Sequence, residues 1–266
     1  MAGSDITIRT GDRTPFQAYL AGDTPSRPAV IMFTPIFGVD ADAKAIADRW
    51  ADRGYLVAVP DYYFRQAPGV LDRSESGRKS AMERWKALNV DRAVSDMRGL
   101  ADYLLARPSC NGRLAALGFC AGGELAFLAA TRLGATAVAT FHATHIDRHL
   151  NEAENIAGHI TMHFGGSDPL VPIENVTAIK TRLVSDPRVD VHVYPGAAHG
   201  FIFSRPGVLS STRSDGVRPP SAGSLGEIEK RRLEQDDFSS NRHPAPAYWW
   251  SMIFSENRCP LFGIML

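Results

Sequence analysis

The feature that most constrains this chain is residues 113–130, RLAALGFCAGGELAFLAA, which combine a buried strand, an abrupt turn and a helix. Residues 114–117 are all apolar, as expected of a central parallel strand that is covered on both faces. Residues 124–131 then resume with strong helix formers. This strand–nucleophile–helix pattern is a nucleophile elbow, with Cys120 at the position that holds serine in serine hydrolases.

The turn around Cys120 predicts a strained and reactive nucleophile. Such a turn leaves little room for neighbouring side chains, and Gly118 and Gly122 meet that need. The helix that follows points its N-terminus at the thiol. Its dipole and free amide groups therefore favour the thiolate over the thiol.

Composition limits the class of protein and its partners. The chain has 266 residues, of which 44% are hydrophobic and 22% charged, and its formal net charge is zero. This balance fits a globular core and gives no reason to expect binding to nucleic acid or to a membrane. The three cysteines, Cys110, Cys120 and Cys259, suggest neither a disulfide framework nor a zinc site. With no visible signal peptide or transmembrane run, we expect a cytoplasmic protein that needs no metal or cofactor.

Strand and helix patterns alternate from residue 29 to residue 194, after an antiparallel hairpin near residues 6–20. Alternation of this kind predicts an α/β protein with a mostly parallel central sheet and helices on both faces. Among the helices, we expect two at about residues 80–87 and 89–106. In such sheets the functional site lies at the carboxyl ends of the strands. The loops at that edge are predicted at residues 34–38, 118–123, 165–171 and 195–203.

The chain changes character after residue 203. Residues 204–226 are rich in Ser, Arg, Pro and Gly and have no apolar period, which is typical of a linker. A capping-box pattern predicts a charged helix over about residues 224–235, and residues 248–254 are apolar enough to pack on the body of the protein. We therefore divide the chain into a main domain, residues 1–203, and an atypical C-terminal extension, residues 204–266.

Two further residues complete a candidate catalytic triad with Cys120. Asp168 follows the strand that ends near residue 164, and His199 follows the strand that ends near residue 194. The order nucleophile, acid, histidine is that of α/β-hydrolases. A cysteine nucleophile needs a base, and the base needs an orienting acceptor, so His199 and Asp168 are predicted to fill these roles.

The motifs taken together resemble the dienelactone hydrolase family (carboxymethylenebutenolidase-like) of the α/β-hydrolase fold, over about residues 1–203. The matching segments are IFGV at 36–39, VPDY at 59–62, RQAPG at 65–69, GFCAGG at 118–123, GSD at 166–168 and AHGF at 198–201. The resemblance implies a Cys–His–Asp triad at Cys120, His199 and Asp168. It also implies an oxyanion hole made by the backbone amides of Ile36 and Ala121. The activity that it implies is hydrolysis of a small lactone or carboxylic ester without a cofactor.

The chain departs from the family pattern around the predicted substrate pocket. Pro35 replaces a glutamate that restrains the resting thiol, and Phe203 replaces one of two arginines that bind a substrate carboxylate. Arg78 aligns with the second arginine, and Met82 replaces a tyrosine that follows it. With Arg78, Met82 and Phe203 as substrate-binding residues, the resemblance implies a substrate that is less anionic and more apolar than a dienelactone carboxylate.

Other interpretations remain open at this point. The lost glutamate, the lost arginine and the unusual extension also fit a non-catalytic ligand-binding member of the fold, and an exposed low-pKa cysteine fits a redox sensor. His142, His145 and His149 are spaced like metal ligands, but the sequence places no carboxylate or thiol with them, so no metal site is predicted. We expect a monomer or a weak homodimer whose partner is a small ester or lactone.

Overall fold

The computed structural model describes residues 2–203 of the chain, apart from the side chain of residue 203. The strands in chain order are β1 (Ser4–Arg9), β2 (Pro15–Ala21), β3 (Arg27–Phe33), β4 (Leu56–Pro60), β5 (Cys110–Phe119), β6 (Ala137–Phe141), β7 (His159–Gly165) and β8 (Val189–Tyr194). The α-helices are α1 (Ala41–Asp52), α2 (Glu75–Lys86), α3 (Val90–Leu105), α4 (Ala121–Leu128) and α5 (Ile173–Leu183). A π-helical turn (Ala129–Leu133) extends α4, and two 3-10 segments cover Ile146–Asn155 and Phe201–Phe203.

The strands form one sheet in the order β1-β2-β4-β3-β5-β6-β7-β8. β1 and β2 pair antiparallel, as do β2 and β4, and every pairing from β4 across to β8 is parallel. The predicted hairpin and the mostly parallel sheet are therefore confirmed. β5 lies near the middle, between β3 and β6, so the strand that leads to Cys120 is buried on both faces.

Helices cover both faces of the sheet because the side chains of each strand alternate between two cores. Ile31 and Phe33 of β3 face one core, which also receives the apolar sides of α3, α4 and α5. Val30 and Met32 face the opposite core, where α1 contributes the fully buried Trp50. The expected two-sided architecture is confirmed.

Side-chain caps determine where several helices begin. The Asp40 carboxylate accepts a hydrogen bond from the amide of Ala43 at 2.9 Å and caps α1. The prediction for α2 was wrong at its start, because α2 begins at Glu75 rather than near residue 80. Ser74 caps this helix by accepting from the amide of Gly77 at 3.1 Å. The first turn of α2 has few apolar residues, so the sequence pattern did not indicate that the helix begins there.

The carboxyl ends of β3, β5, β7 and β8 share one edge of the sheet, and the loops that follow them gather there. The predicted helix at 224–235 and the apolar segment at 248–254 lie outside the described residues. Within residues 2–203, no helix combines the length and the apolar character needed to cross a membrane.

Truncating Trp50 should test how strongly α1 is held on the sheet. Trp50→Ala removes a fully buried ring that packs edge-on against Tyr55, with 4.9 Å between the ring centres. The cavity should lower the free energy of unfolding by about 3–5 kcal/mol. Urea denaturation measures this loss. Val184→Ala, at a position that is 81% exposed, is the control and should change stability by less than about 0.5 kcal/mol. A similar loss in both variants would contradict this account.

Candidate active site

Cys120 occupies a strained turn between β5 and α4. Its backbone has φ 55° and ψ −122°, a conformation that residues other than glycine rarely adopt. Three hydrogen bonds hold it there: its amide donates to the Phe141 carbonyl at 3.1 Å, and its carbonyl accepts from the amides of Gly123 at 3.0 Å and Thr144 at 3.2 Å. The surrounding structure thus imposes a backbone conformation that places the thiol at the start of a helix.

The glycines around Cys120 allow three chain segments to approach closely. A Cβ atom at residue 118 would lie 2.3 Å from the carbonyl oxygen of Gly122, and one at residue 122 would lie 2.4 Å from that of Phe33. Both distances are shorter than real Cβ contacts, so the predicted need for glycine at Gly118 and Gly122 is confirmed. Gly123 has a similar role, because a Cβ atom there would meet the Ala143 side chain at 2.2 Å.

Asp168 and His199 are joined by a short hydrogen bond. The distance between Asp168 Oδ2 and His199 Nδ1 is 2.7 Å, and the Asp168 side chain is fully buried. The other carboxylate oxygen accepts from the amides of Leu170 at 2.8 Å and Val171 at 3.3 Å. These contacts fix the carboxylate, and the carboxylate in turn orients the imidazole of His199.

The electrostatic environment of His199 favours its charged form. Burial alone would lower the pKa of this imidazole, but the hydrogen bond to Asp168 and the interaction with the Cys120 sulfur raise the pKa to about 9. Nε2 of His199 is buried and makes no hydrogen bond of standard geometry with any residue in 2–203. Catalytic hydrogen bonds are often loosely aligned before substrate binds.

A second histidine, His142, packs against His199 and was not predicted as part of this site. The two rings meet edge to face with 4.7 Å between their centres. His142 is completely buried, and burial followed by the charge of His199 holds its pKa well below the usual value. His142 is therefore a neutral ring beside the His199 imidazole.

The two predicted oxyanion donors come from a loop and a helix, and both residues pack in one buried cluster with Cys120. Ile36 is in the loop after β3, and Ala121 is the first residue of α4. No acceptor within residues 2–203 receives either amide N–H, so both can bind a ligand oxygen. Their assignment as an oxyanion hole stays a prediction.

Arg84, which was not predicted from the sequence as a residue of this site, holds the loop that contains Ile36. This buried arginine of α2 donates to the carbonyl oxygens of Ile36 at 2.7 Å, Ala67 at 2.8 Å and Gly69 at 2.9 Å. Its guanidinium also lies over the Tyr63 ring, 4.1 Å from the ring centre. The helix pattern could have indicated that Arg84 is buried. Arg84 follows the buried Ala81 by three residues and therefore lies on the same inward face of the helix.

An apolar wall of packed side chains lies beside Cys120. Cys120, Ile36, Ala81 and Ala121 form one buried cluster, and the side chains packed around it belong to Phe37, Leu71, Met82 and Trp85. The predicted residue Met82 is thus part of this wall.

The other two predicted substrate-binding residues are Arg78 and Phe203. Arg78 is exposed and donates from Nε to the carbonyl oxygen of Arg73 at 3.0 Å. Phe203 ends the last 3-10 segment, and its side chain lies outside the described part of the structure. A role of either residue in substrate binding stays a prediction.

Glu124 joins two of the three histidines that were considered as metal ligands. Its carboxylate lies 3.3 Å from Nδ1 of His145 and 2.8 Å from Nε2 of His149, while His142 packs on His199 instead. Within residues 2–203, no group of three or more His, Cys, Asp or Glu side chains is arranged to hold a metal ion. The three histidines therefore divide between two different polar clusters.

Comparison with known proteins places this arrangement in a family. The model of the dienelactone hydrolase family matches residues 16–215. The carboxymethylenebutenolidase of Pseudomonas putida is 31% identical over 205 residues, which are 76% of this chain and 86% of that protein. Over most of its length, the chain is thus similar to a carboxymethylenebutenolidase.

Solved structures agree with this placement. A dienelactone hydrolase-like promiscuous phosphotriesterase from metagenomic libraries has a TM-score of 0.59 and 26% identity, with 76% of this chain and 85% of that chain covered. An esterase of Pyrococcus furiosus has a TM-score of 0.61 with the same coverage, and its 16% identity makes it a comparison of fold alone. The chain has the α/β-hydrolase fold and belongs to the dienelactone hydrolase family.

Proposed function

We propose that this protein hydrolyses small lactones or carboxylic esters through a Cys120–His199–Asp168 triad and an acyl-enzyme intermediate. Its membership of the dienelactone hydrolase family supports the ester or lactone class of reaction. The observation that supports the triad best is the 2.7 Å hydrogen bond between His199 and the buried Asp168, at the sheet edge where Cys120 occupies its strained turn. The raised pKa of His199 favours an imidazolium paired with a thiolate.

Acylation begins at the sulfur. The Cys120 thiolate attacks the substrate carbonyl carbon, a C–S bond forms, and the carbonyl electrons move to oxygen. The amides of Ile36 and Ala121 donate to this oxyanion. As the intermediate collapses, the C–O bond breaks and the His199 imidazolium gives its proton to the leaving oxygen. The products are an alcohol and a thioester of Cys120; from a lactone, both remain in one molecule.

Deacylation returns the enzyme to its starting state. Neutral His199 takes a proton from water, and the resulting hydroxide attacks the thioester carbon. The C–S bond breaks, the carboxylic acid is released, and Cys120 leaves as a thiolate beside the imidazolium. Throughout both steps, the hydrogen bond to Asp168 holds the imidazole of His199 in one tautomer and one orientation.

The apolar side chains packed around Cys120 favour a small substrate whose acyl part is largely apolar. Met82, Trp85 and Leu71 pack against the buried cluster that contains Cys120, while Arg78 lies at the surface. The relative from Pseudomonas putida is named carboxymethylenebutenolidase, so a lactone is a suitable first substrate to test. A reducing cytoplasm would suit an unpaired nucleophilic thiol.

Removing the thiol should abolish hydrolysis. In Cys120→Ala we expect kcat for p-nitrophenyl acetate or a dienelactone to fall by at least about 10³-fold, because no other group can form the acyl-enzyme. Release of p-nitrophenolate measures the rate. The control is Cys110→Ala, a half-buried cysteine on β5 outside the site, which should keep wild-type activity. Wild-type rates in the Cys120 variant would exclude the mechanism.

The pKa of His199 predicts how activity depends on pH. Because His199 holds its proton up to about pH 9, transfer to a poor leaving group should fail above that pH. We expect kcat for ethyl butyrate to decline through about pH 9, measured by titration of released acid, and kcat for p-nitrophenyl butyrate to decline much less.

Asp168→Asn provides the matched variant for this pH profile. Loss of the negative partner lowers the pKa of His199, so the decline with ethyl butyrate should move to lower pH. The amide oxygen of asparagine can still accept from the amides of Leu170 and Val171, which limits structural change. A decline at the same pH in wild type and variant would show that it does not report on His199.

Arg84 provides a test of the Ile36 oxyanion donor. Arg84→Met removes the hydrogen bond that holds the Ile36 carbonyl, so we expect kcat to fall by about 10- to 100-fold with a smaller change in KM. Steady-state kinetics with p-nitrophenyl butyrate measures both. Lys79→Met, at an exposed position on the same helix, is the control. An Arg84→Met enzyme that is folded and has a normal kcat would contradict the assignment.

A further inference from the structure

A buried tyrosine hydroxyl reaches the backbone of the loop that contains Ile36. Tyr62 follows β4 by two residues, and it is only 2% exposed. Its hydroxyl oxygen lies 2.7 Å from the carbonyl oxygen of Thr34 and 3.5 Å from that of Pro35. Because a carbonyl oxygen can only accept, the Tyr62 hydroxyl is the donor to Thr34. A side chain that follows β4 thus binds the backbone that follows β3, its neighbour in the sheet.

The Tyr62 hydroxyl keeps its proton. Burial, followed by the neighbouring Tyr63, holds the pKa of the Tyr62 phenol well above its usual value, and a negative charge on Cys120 acts in the same direction. The hydrogen bond to Thr34 opposes these effects but contributes less. Tyr62 is therefore a neutral hydrogen-bond donor near neutral pH.

The position of the Tyr62 ring is fixed by contacts that do not involve its hydroxyl. The ring packs on the Tyr63 ring with 4.4 Å between the centres, and its centre lies 6.2 Å from that of the Phe33 ring. The turn that contains it is held by Asp61, whose carboxylate accepts from the amides of Tyr63 at 3.1 Å and Gly69 at 2.7 Å. Removing the hydroxyl alone should therefore leave this packing in place.

The peptide unit that bears the Ile36 amide lies between two anchored carbonyl groups. The Ile36 N–H and the Pro35 carbonyl belong to one planar unit. Before this unit, the Thr34 carbonyl accepts from Tyr62; after it, the Ile36 carbonyl accepts from the buried Arg84 at 2.7 Å. Pro35 restricts the segment further, because its ring fixes φ. An amide held in this way need not reorganise when negative charge develops beside it, and that is the property of an effective oxyanion donor.

We propose that Tyr62 is a positioning residue for the oxyanion hole: by binding the Thr34 carbonyl, it directs the Ile36 N–H toward the oxygen atom of the reacting carbonyl group. The inference rests on the proposed hydrolysis and adds a residue that acts on the reaction through the backbone, without contact with the substrate. Tyr62 and Arg84 act on the same peptide unit from its two ends, so their effects on the rate are coupled.

The first test is Tyr62→Phe, which removes one oxygen atom and keeps the ring. We expect kcat for p-nitrophenyl butyrate to fall by about 10-fold with KM within about twofold of wild type, because the Ile36 amide acts mainly once the oxyanion forms. Circular dichroism gives the folded fraction, and kcat is expressed per folded molecule, so a loss of stability alone does not change it. The matched control is Tyr103→Phe on α3, which removes a hydroxyl bonded to Arg107 and should keep the wild-type kcat.

An inhibitor separates positioning of the amide from a general structural role. The Cys120 thiolate adds to the carbonyl carbon of trifluoromethyl propyl ketone: a C–S bond forms, the carbonyl electrons move to oxygen, and no group leaves. Because this adduct contains the oxyanion, its Ki in Tyr62→Phe should rise by about the same factor as kcat/KM falls.

A double variant tests the coupling. Tyr62→Phe combined with Arg84→Met should lose less kcat than the product of the two separate losses, because the second substitution acts on a peptide unit that the first has already released. Tyr62→Met is a second variant without the hydroxyl, with a flexible side chain that can refill the space, and it should show the same losses per folded molecule.

The outcomes distinguish this inference from the proposed function. Folded Tyr62 variants with wild-type kcat, a loss confined to KM, an unchanged Ki for the ketone, or fully multiplicative losses in the double variant would each overturn the inference while ester hydrolysis itself stands. Failure of the wild type to hydrolyse p-nitrophenyl butyrate and other short esters would overturn the proposed function and, with it, this inference.

Discussion

The structure depends on one close approach, where β3, β5 and the start of α4 meet around Cys120. The strand enters this point buried on both faces, and the chain must reverse direction within a single residue before the helix begins. Gly118 and Gly122 make the contact possible because any larger side chain would meet backbone oxygen atoms at less than 2.5 Å. The strain that remains is concentrated at Cys120, and it is compensated by hydrogen bonds from β6 and from the loop that follows it. The same geometry that lets the sheet pack tightly also places Cys120 at the carboxyl edge of the sheet.

Around this point, buried polar groups determine the positions of the loops. Asp168 is bonded to two backbone amides and to His199, and Arg84 binds three carbonyl oxygens from two loops. Glu124 binds two histidines within one turn of the nucleophile. Each of these groups would be costly to bury alone, so each one constrains the segments that satisfy it. Several partners thus hold each buried polar group of the candidate site, and Met82 and Trp85 pack against the apolar cluster that contains Cys120.

Local patterns were sufficient to predict much of this arrangement. The apolar run before Cys120, the glycines beside it, and the alternation of strands and helices predicted the parallel sheet and the elbow. The order of Cys120, Asp168 and His199 predicted a catalytic triad. The structure contains the hydrogen bond between Asp168 and His199 that such a triad requires. The start of α2 was misjudged because its cap, Ser74, precedes a turn without apolar residues. Arg84 and Glu124 escaped notice because a charged residue in a helix is usually exposed, and only long-range packing shows that these two are buried.

The sequence by itself determined the fold class, the family resemblance and the three candidate catalytic residues, because hydrophobic periodicity and the spacing of glycines are local properties. Only the tertiary structure decided which polar side chains meet. The spacing of His142, His145 and His149 suggested one group, yet His142 packs on His199 while the other two bind Glu124. Arg78 aligned with a substrate-binding arginine, yet its side chain lies at the surface and binds the carbonyl of Arg73. Such contacts depend on how distant segments pack. A charged group that becomes buried must find a partner because burying it alone costs free energy, and no local sequence pattern shows which charges will be buried.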